Sequence, residues 1–228
     1  MSEKVSLDLE GREFSLETGR VAKQAHGAVW VRYGDTIVLV ATVADTREAT
    51  TDFFPLMVDY RERFYAGGRI PGNFFKREAA PSTTEKLNAR LIDHQIRPLF
   101  PKTFRYETQV LVTVLSFDQE NDPAILAMAG ASAALGISDI PFDGPIGAVH
   151  VGRVDGAYIV NPTYAQLEAS DMNVIVSGSR ESVISVEGQI REMPEDEVLE
   201  GLKVAHKGIV RLIDLQEELI ARCGKQKR

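Results

Sequence analysis

The chain has 228 residues, 44% of them hydrophobic and 26% charged, with a formal net charge of -7 at pH 7. This composition supports a sizeable core and excludes a disordered chain, and the acidic balance means that any polyanion must be met by a local basic patch. A single cysteine, Cys223, excludes an internal disulfide framework and a multi-cysteine zinc site. The N-terminus lacks the basic-then-apolar layout of a signal peptide, and no apolar run reaches the ~18 residues of a membrane span. These features predict a soluble cytoplasmic protein without a membrane partner.

In chain order, Val5, Leu7 and Leu9 alternate with polar residues, Glu10-Gly11-Arg12 turns, and Phe14 and Leu16 alternate again, which predicts a hairpin. Residues 28–33 and 36–43 form a second hairpin across Gly34-Asp35. The nearly continuous apolar run 37–41 predicts a strand buried on both faces. Residues 44–52 are polar and read as a loop, and 56–63 as a further strand.

Gly67-Gly68-Arg69-Ile70-Pro71-Gly72-Asn73 then punctuates a loop that leads into Phe74, Phe75, Lys76 and Arg77. Ser82 and Glu85 have the spacing of a capping box, so a helix starts there and is stopped by Pro98 and Pro101. At about 100° per residue, Lys86, Arg90, His94 and Arg97 share an arc of roughly 80°, with Ile92 and Ile96 on the opposite face. Two readings of this stretch stand side by side. Exposed rings could stack on bases while the cations pair with phosphates; equally, adjacent Phe residues are commonly core and a charged helical stripe is commonly a solvated face.

Downstream, 108–117 reads as a strand, and Pro123 opens an Ala-rich helix to about Ser138 whose small residues predict close packing on a sheet. Strands follow at 146–151, 158–160, 172–176 and 183–186, with Asp155-Gly156 a hairpin turn. A long amphipathic helix spans 194–223, with Leu199, Leu202, Ile209, Leu212, Ile213, Leu219 and Ile220 as its apolar positions. The pattern predicts an α+β fold of mixed sheets and packed helices in one domain, followed by this helix. The four histidines have no zinc-ligand spacing; His26 and His206 read as surface or structural. No Walker loop or nucleophile elbow is present.

Three stretches carry a family resemblance. They are Asp52-Phe53-Phe54-Pro55-Leu56 continuing through 60–78, residues 89–101, and Gly130 to Leu135 continuing through 140–148. Together they closely resemble polynucleotide phosphorylase, and the resemblance covers essentially the whole chain. It implies an RNase PH-like βαβ fold, with residues 1–192 as the first of two such cores and 193–228 as the start of a helical linker region. The second core and the KH and S1-type RNA-binding modules of the family are absent, so the chain reads as a fragment or truncated form.

The resemblance further implies phosphorolysis of single-stranded RNA from the 3′ end in mRNA turnover. Inorganic phosphate is the co-substrate, Mg2+ is required with its ligands outside this chain, and nucleoside diphosphates are released. It implies a homotrimer whose six cores form a ring around the RNA, with RNA-degradosome components as candidate partners. By similarity Phe74, Phe75, Lys76 and Arg77 form an RNA-path loop, and Arg90, His94 and Arg97 belong to an anion site.

This chain departs from the family at several positions. Lys76, Ala80 and His94 stand where arginine is usual and Gln95 where proline is usual, which predicts weaker anion affinity. The second core's catalytic pattern is an Asp, then Asp-Met-Asp, then a Lys. Here Leu167, Asn173 and Ile175 replace three of those positions and only Asp171 remains. No residue of this core is therefore assigned to catalysis or to a metal, and Asp171 reads as a structural acid. The alternatives are a non-catalytic RNA-binding or ring-scaffolding module, and a stand-alone RNase PH relative acting on tRNA ends, which the long loop and the missing acids disfavour.

Overall fold

The computed structural model describes residues 2–72 and 74–228; Met1 and Asn73, the last residue of the glycine- and proline-punctuated loop, lie outside the described residues. The first sheet begins with the two expected hairpins, β1 (Glu3–Leu9) with β2 (Arg12–Thr18) and β3 (Gly27–Tyr33) with β4 (Thr36–Glu48). Glu10 and Gly11 both adopt positive φ, 54° and 76°, the mirror-image turn that matches the twist of a two-residue hairpin. β5 (Leu56–Glu62) and β6 (Tyr106–Ser116) complete the sheet in the order β1-β2-β3-β4-β6-β5, with β5 parallel to β6 and the other pairs antiparallel. The parallel pair needs a crossover, and the segment carrying the Phe-Phe-Lys-Arg loop and helix α1 (Thr83–Ile96) supplies it.

Helix α2 (Pro123–Ile137) is buried along its whole length, as expected of a helix that is apolar all round. It lies against β3 and β4 on one side and against β7 and the C-terminal helix on another. Gly130 permits this closeness: a Cβ there would come within 2.7 Å of Val31 and Val40. The second sheet, in the order β10-β9-β7-β8, is built from β7 (Gly147–Val154), β8 (Ala157–Val160), β9 (Met172–Gly178) and β10 (Val183–Ile190). A one-turn helix, α3 (Tyr164–Glu168), precedes β9; its Thr163–Gln166 capping box has the same spacing as Ser82–Glu85, but no long apolar periodicity follows it to mark a helix in the sequence.

The long helix α4 (Glu195–Cys223) packs its Ala205, Ile209, Leu212, Ile213 and Leu219 face onto the second sheet, α2 and β1. Leu199, expected among its apolar contacts, is exposed. The C-terminal tail returns to α2, where the Lys227 ammonium donates to the carbonyls of Leu135, Gly136 and Ser138, at 2.7, 3.0 and 2.8 Å. A cation there satisfies orphan carbonyls at a helix C-terminus and complements the helix dipole.

Two expectations about β4 need correction. Residues 44–48 are strand and not loop, because Ala44 pairs with Thr108 and Glu48 with Tyr106, and the Ala44 N–H also donates to His26 Nδ1 at 2.9 Å. Sheet pairing overrides a polar composition here. The run 37–41 is fully buried only on its Val38 and Val40 face; Ile37, Leu39 and Ala41 are half-buried.

Candidate nucleic-acid interface

Phe74 and Phe75 are 92% and 69% exposed, which rules out the core reading of the pair. Their rings meet edge to face with centroids 5.4 Å apart, and the Arg77 guanidinium lies over the Phe75 ring at 4.9 Å. Lys76 takes a positive φ of 51°, an uncommon conformation for a side chain of this size. The loop therefore presents two apolar ring surfaces with two cations beside them. Such a surface offers stacking faces for bases and charge for phosphates.

Behind the loop, α1 begins with the predicted capping box. Ser82 Oγ accepts the Glu85 N–H, and Glu85 accepts the Ser82 N–H in return. Glu85 also accepts the Glu62 N–H at 2.9 Å, so a single carboxylate ties the start of α1 to the end of β5. Ile92 and Ile96 are buried, which directs the opposite face of the helix outward. Arg90, His94 and Arg97 line one open cleft of about 1080 Å³ between α1, β5 and the β9–β10 pair, and Asn173 and Ile175 line it from the other side. Lys86, the fourth member of the arc, does not border it.

The three candidate anion residues are not equivalent. Arg97 forms a bidentate pair with Asp93 at 2.6 and 2.8 Å and donates to the carbonyls of Phe54 and Leu56 at 2.9 and 3.1 Å. Its guanidinium thus fastens α1 to the segment entering β5, above the Phe54–Phe100–Phe104 ring cluster. Arg90 and His94 are exposed and have no side-chain partner among the described residues. Asp93 and Glu187 also line the cleft, so its two arginines are matched by two acids.

Asp171 is bound by both arms of Arg153, at 2.7 and 3.0 Å, and this bonding holds its carboxyl below the usual carboxylate range. Arg153 also pairs with Glu197 of α4. Asn173 faces the cleft, but its Oδ1 is taken by His150 Nε2 at 2.7 Å. Among the described residues no group of three or more His, Cys, Asp or Glu side chains could hold a metal ion. Asp93 is committed to Arg97 and Asp171 to Arg153; Glu187 is the other acid that lines the cleft.

Two family descriptions match the chain: 3′ exoribonuclease family, domain 1, over residues 10–141, and domain 2 of the same family over residues 144–208. The chain belongs to the 3′ exoribonuclease family. It is 53% identical to a polyribonucleotide nucleotidyltransferase of Geotalea uraniireducens over 229 residues, covering 100% of this chain and 33% of that protein. It is also 53% identical to the corresponding protein of Heliobacterium modesticaldum over 224 residues, covering 98% of this chain and 32% of the relative. The chain thus spans about a third of the length of the curated relatives it matches, corresponding to their N-terminal core. Among solved structures, rice (Oryza sativa) Rrp46 superposes with a TM-score of 0.74 at 16% identity, covering 91% of this chain and 94% of that one, which supports the fold alone. Among the described residues no helix is long and apolar enough to cross a membrane.

Proposed function

We propose that this chain is the first core of a phosphate-dependent 3′-to-5′ exoribonuclease, and that it holds and guides single-stranded RNA while a second core performs the chemistry. In that reaction an oxygen of inorganic phosphate attacks the terminal phosphorus. The bond to the preceding 3′-oxygen breaks, a nucleoside diphosphate leaves, and the shortened RNA keeps a 3′-hydroxyl. The observation that carries the division of labour is the α1–β9 cleft. Asn173 and Ile175 line it where the family pattern has an acid and a lysine, and the remaining acid, Asp171, is bonded to Arg153.

RNA guidance falls to Phe74, Phe75, Lys76 and Arg77, and Arg90 and His94 offer a weak anion site in the α1–β9 cleft. The homotrimeric ring belongs to the same proposal. It is supported by the edge strand β10, where Val183, Ile184, Val186 and Ile190 are exposed, an apolar strand edge of the kind a further subunit or core covers. The cytoplasm as its location, Mg2+ in the second core, and RNA-degradosome components as partners of the whole enzyme are part of this reading. The scaffolding alternative predicts a gene without a second core bearing the Asp-Met-Asp pattern.

Replacing Lys76 and Arg77 together with Ala tests the RNA-path role. Oligo(A) affinity should fall, and the slope of log K against log salt should flatten by about 0.7 for each RNA phosphate that these two cations neutralise. An unchanged slope would mean that the loop does not touch the RNA backbone.

A further inference from the structure

A second cavity, of about 470 Å³, lies at the N-terminal end of α1, between the end of β5, the turn at Phe64–Gly67 and the start of α2. That volume suits a small-molecule ligand. Phe64, Phe117 and Tyr164 give it aromatic walls, the last two meeting edge to face with centroids 6.0 Å apart. Glu78, Ala79 and Ala80 close one side, so the segment that follows the exposed Phe-Phe-Lys-Arg loop forms a wall of the cavity.

Most of the polar groups here already have partners. Both oxygens of Glu85 accept backbone N–H groups, Glu78 accepts the Phe64 N–H at 3.2 Å, and Arg61 pairs with Asp59 at 3.2 Å. Three do not. Glu62 accepts one hydrogen bond from the Tyr60 hydroxyl at 2.9 Å, has no cation against it among the described residues, and is faced by Glu85 and Asp122, acids like itself. Arg63 and Arg69 have no ion-pair partner among the described residues, and Arg69 is exposed at the rim. Glu62 is exposed toward the cavity, and partial desolvation together with the neighbouring acids Glu85 and Asp122 raises its pKa. The carboxylate oxygen that the Tyr60 hydroxyl does not reach is open to a donor held in the cavity.

We propose that this cavity is a nucleotide subsite that takes one amino-bearing base, adenine or cytosine, with its exocyclic amine on Glu62, its ring among Phe64, Phe117 and Tyr164, and its phosphate outward on Arg63 and Arg69. Aromatic walls supply stacking, a carboxylate accepts from an amine and not from a carbonyl, and guanidinium groups pair with phosphate oxygens. Uracil presents a carbonyl where cytosine presents the amine, so the site discriminates against it. The nucleotide can come from an RNA strand or be free in solution. The strand source rests on the RNA-path reading of residues 74–77, whereas the pocket's chemistry does not.

The test is calorimetry of the whole chain with AMP, CMP and UMP, and with the pentanucleotides A5 and U5. AMP and CMP should bind about tenfold more tightly than UMP, the worth of one hydrogen bond to a charged group. Glu62→Gln, which keeps the shape, should bring the three within about twofold, and Arg69→Ala should weaken all three by a similar factor. Glu62→Gln narrowing the A5-to-U5 difference identifies the strand as the source; the same variant affecting AMP but not A5 identifies free nucleotide. AMP affinity untouched by both substitutions, or equal affinity for AMP and UMP, overturns the subsite. If the Lys76/Arg77 double variant leaves A5 binding intact while Glu62→Gln weakens AMP, the RNA-path reading fails and the pocket stands; the reverse pattern sinks the pocket alone.

Discussion

Arg97 makes four hydrogen bonds inside the protein, whereas Arg90, two turns earlier on the same face of α1, makes none among the described residues. The same residue type on one stripe therefore serves anchorage in one case and leaves free charge in the other. Sequence spacing shows the shared face but not the carbonyls of Phe54 and Leu56 that claim Arg97. With Arg97 committed, the anion site proposed for this cleft depends on Arg90 and His94. His94→Arg adds a permanent charge and a planar fork of donors. It should strengthen phosphate or citrate binding severalfold by calorimetry, and no gain would show that the side chain faces elsewhere. Asp118 behaves differently. Burial alone would raise its carboxyl, but N–H groups of Asn121 and Glu120, the Asn121 side chain and the Thr36 hydroxyl outweigh burial and hold it at about 2. A folded pKa below the unfolded value of 3.8 stabilises the protein above that value, and the contribution is lost as pH falls through the window toward 2. Urea midpoints should therefore fall more steeply from pH 4 to pH 2 in the natural protein than in Asp118→Asn. Equal slopes would contradict the assignment.

At the scale of elements, α2 is the piece on which both sheets depend, and its packing leaves no spare volume. A Cβ on Gly27 would stand 2.0 Å from the Ala134 carbonyl oxygen, a backbone atom that cannot move without displacing the helix. Gly27→Ala should therefore cost more than the ~1–3 kcal/mol of an ordinary overpacked side chain, read from denaturant unfolding. A cost under 1 kcal/mol would mean that α2 sits less tightly on the sheet. The elements that are legible in the sequence each carry a local signal: Gly34-Asp35 and Asp155-Gly156 at the hairpins, Ser82 with Glu85 at α1, and Pro123 at α2. The end of β4 is not legible, because Thr108 and Tyr106 hold it in the sheet from a distant part of the chain. The nucleotide-sized cavity is equally hidden: Glu62, Phe117 and Tyr164 lie on three separate segments, and nothing in their sequence neighbourhoods marks them as partners.

At the scale of the whole molecule, two cavities flank helix α1, one at its capped N-terminus and one along its Arg90–His94 face, and the exposed Phe74–Phe75 loop leads into it. The fold brings Arg90 and His94 of α1 and Asn173 and Ile175 of β9 to opposite walls of one cleft. In the proposed division of labour the acids of the chemistry lie in the second core, whereas Phe74, Phe75, Arg90 and His94 are exposed here. The most direct measurement is release of ADP from poly(A) by residues 1–228 alone, with phosphate and magnesium, alongside RNA binding by the same preparation. RNA binding with no ADP above a protein-free control is the expected result. Phosphate-dependent ADP release by this chain would contradict it.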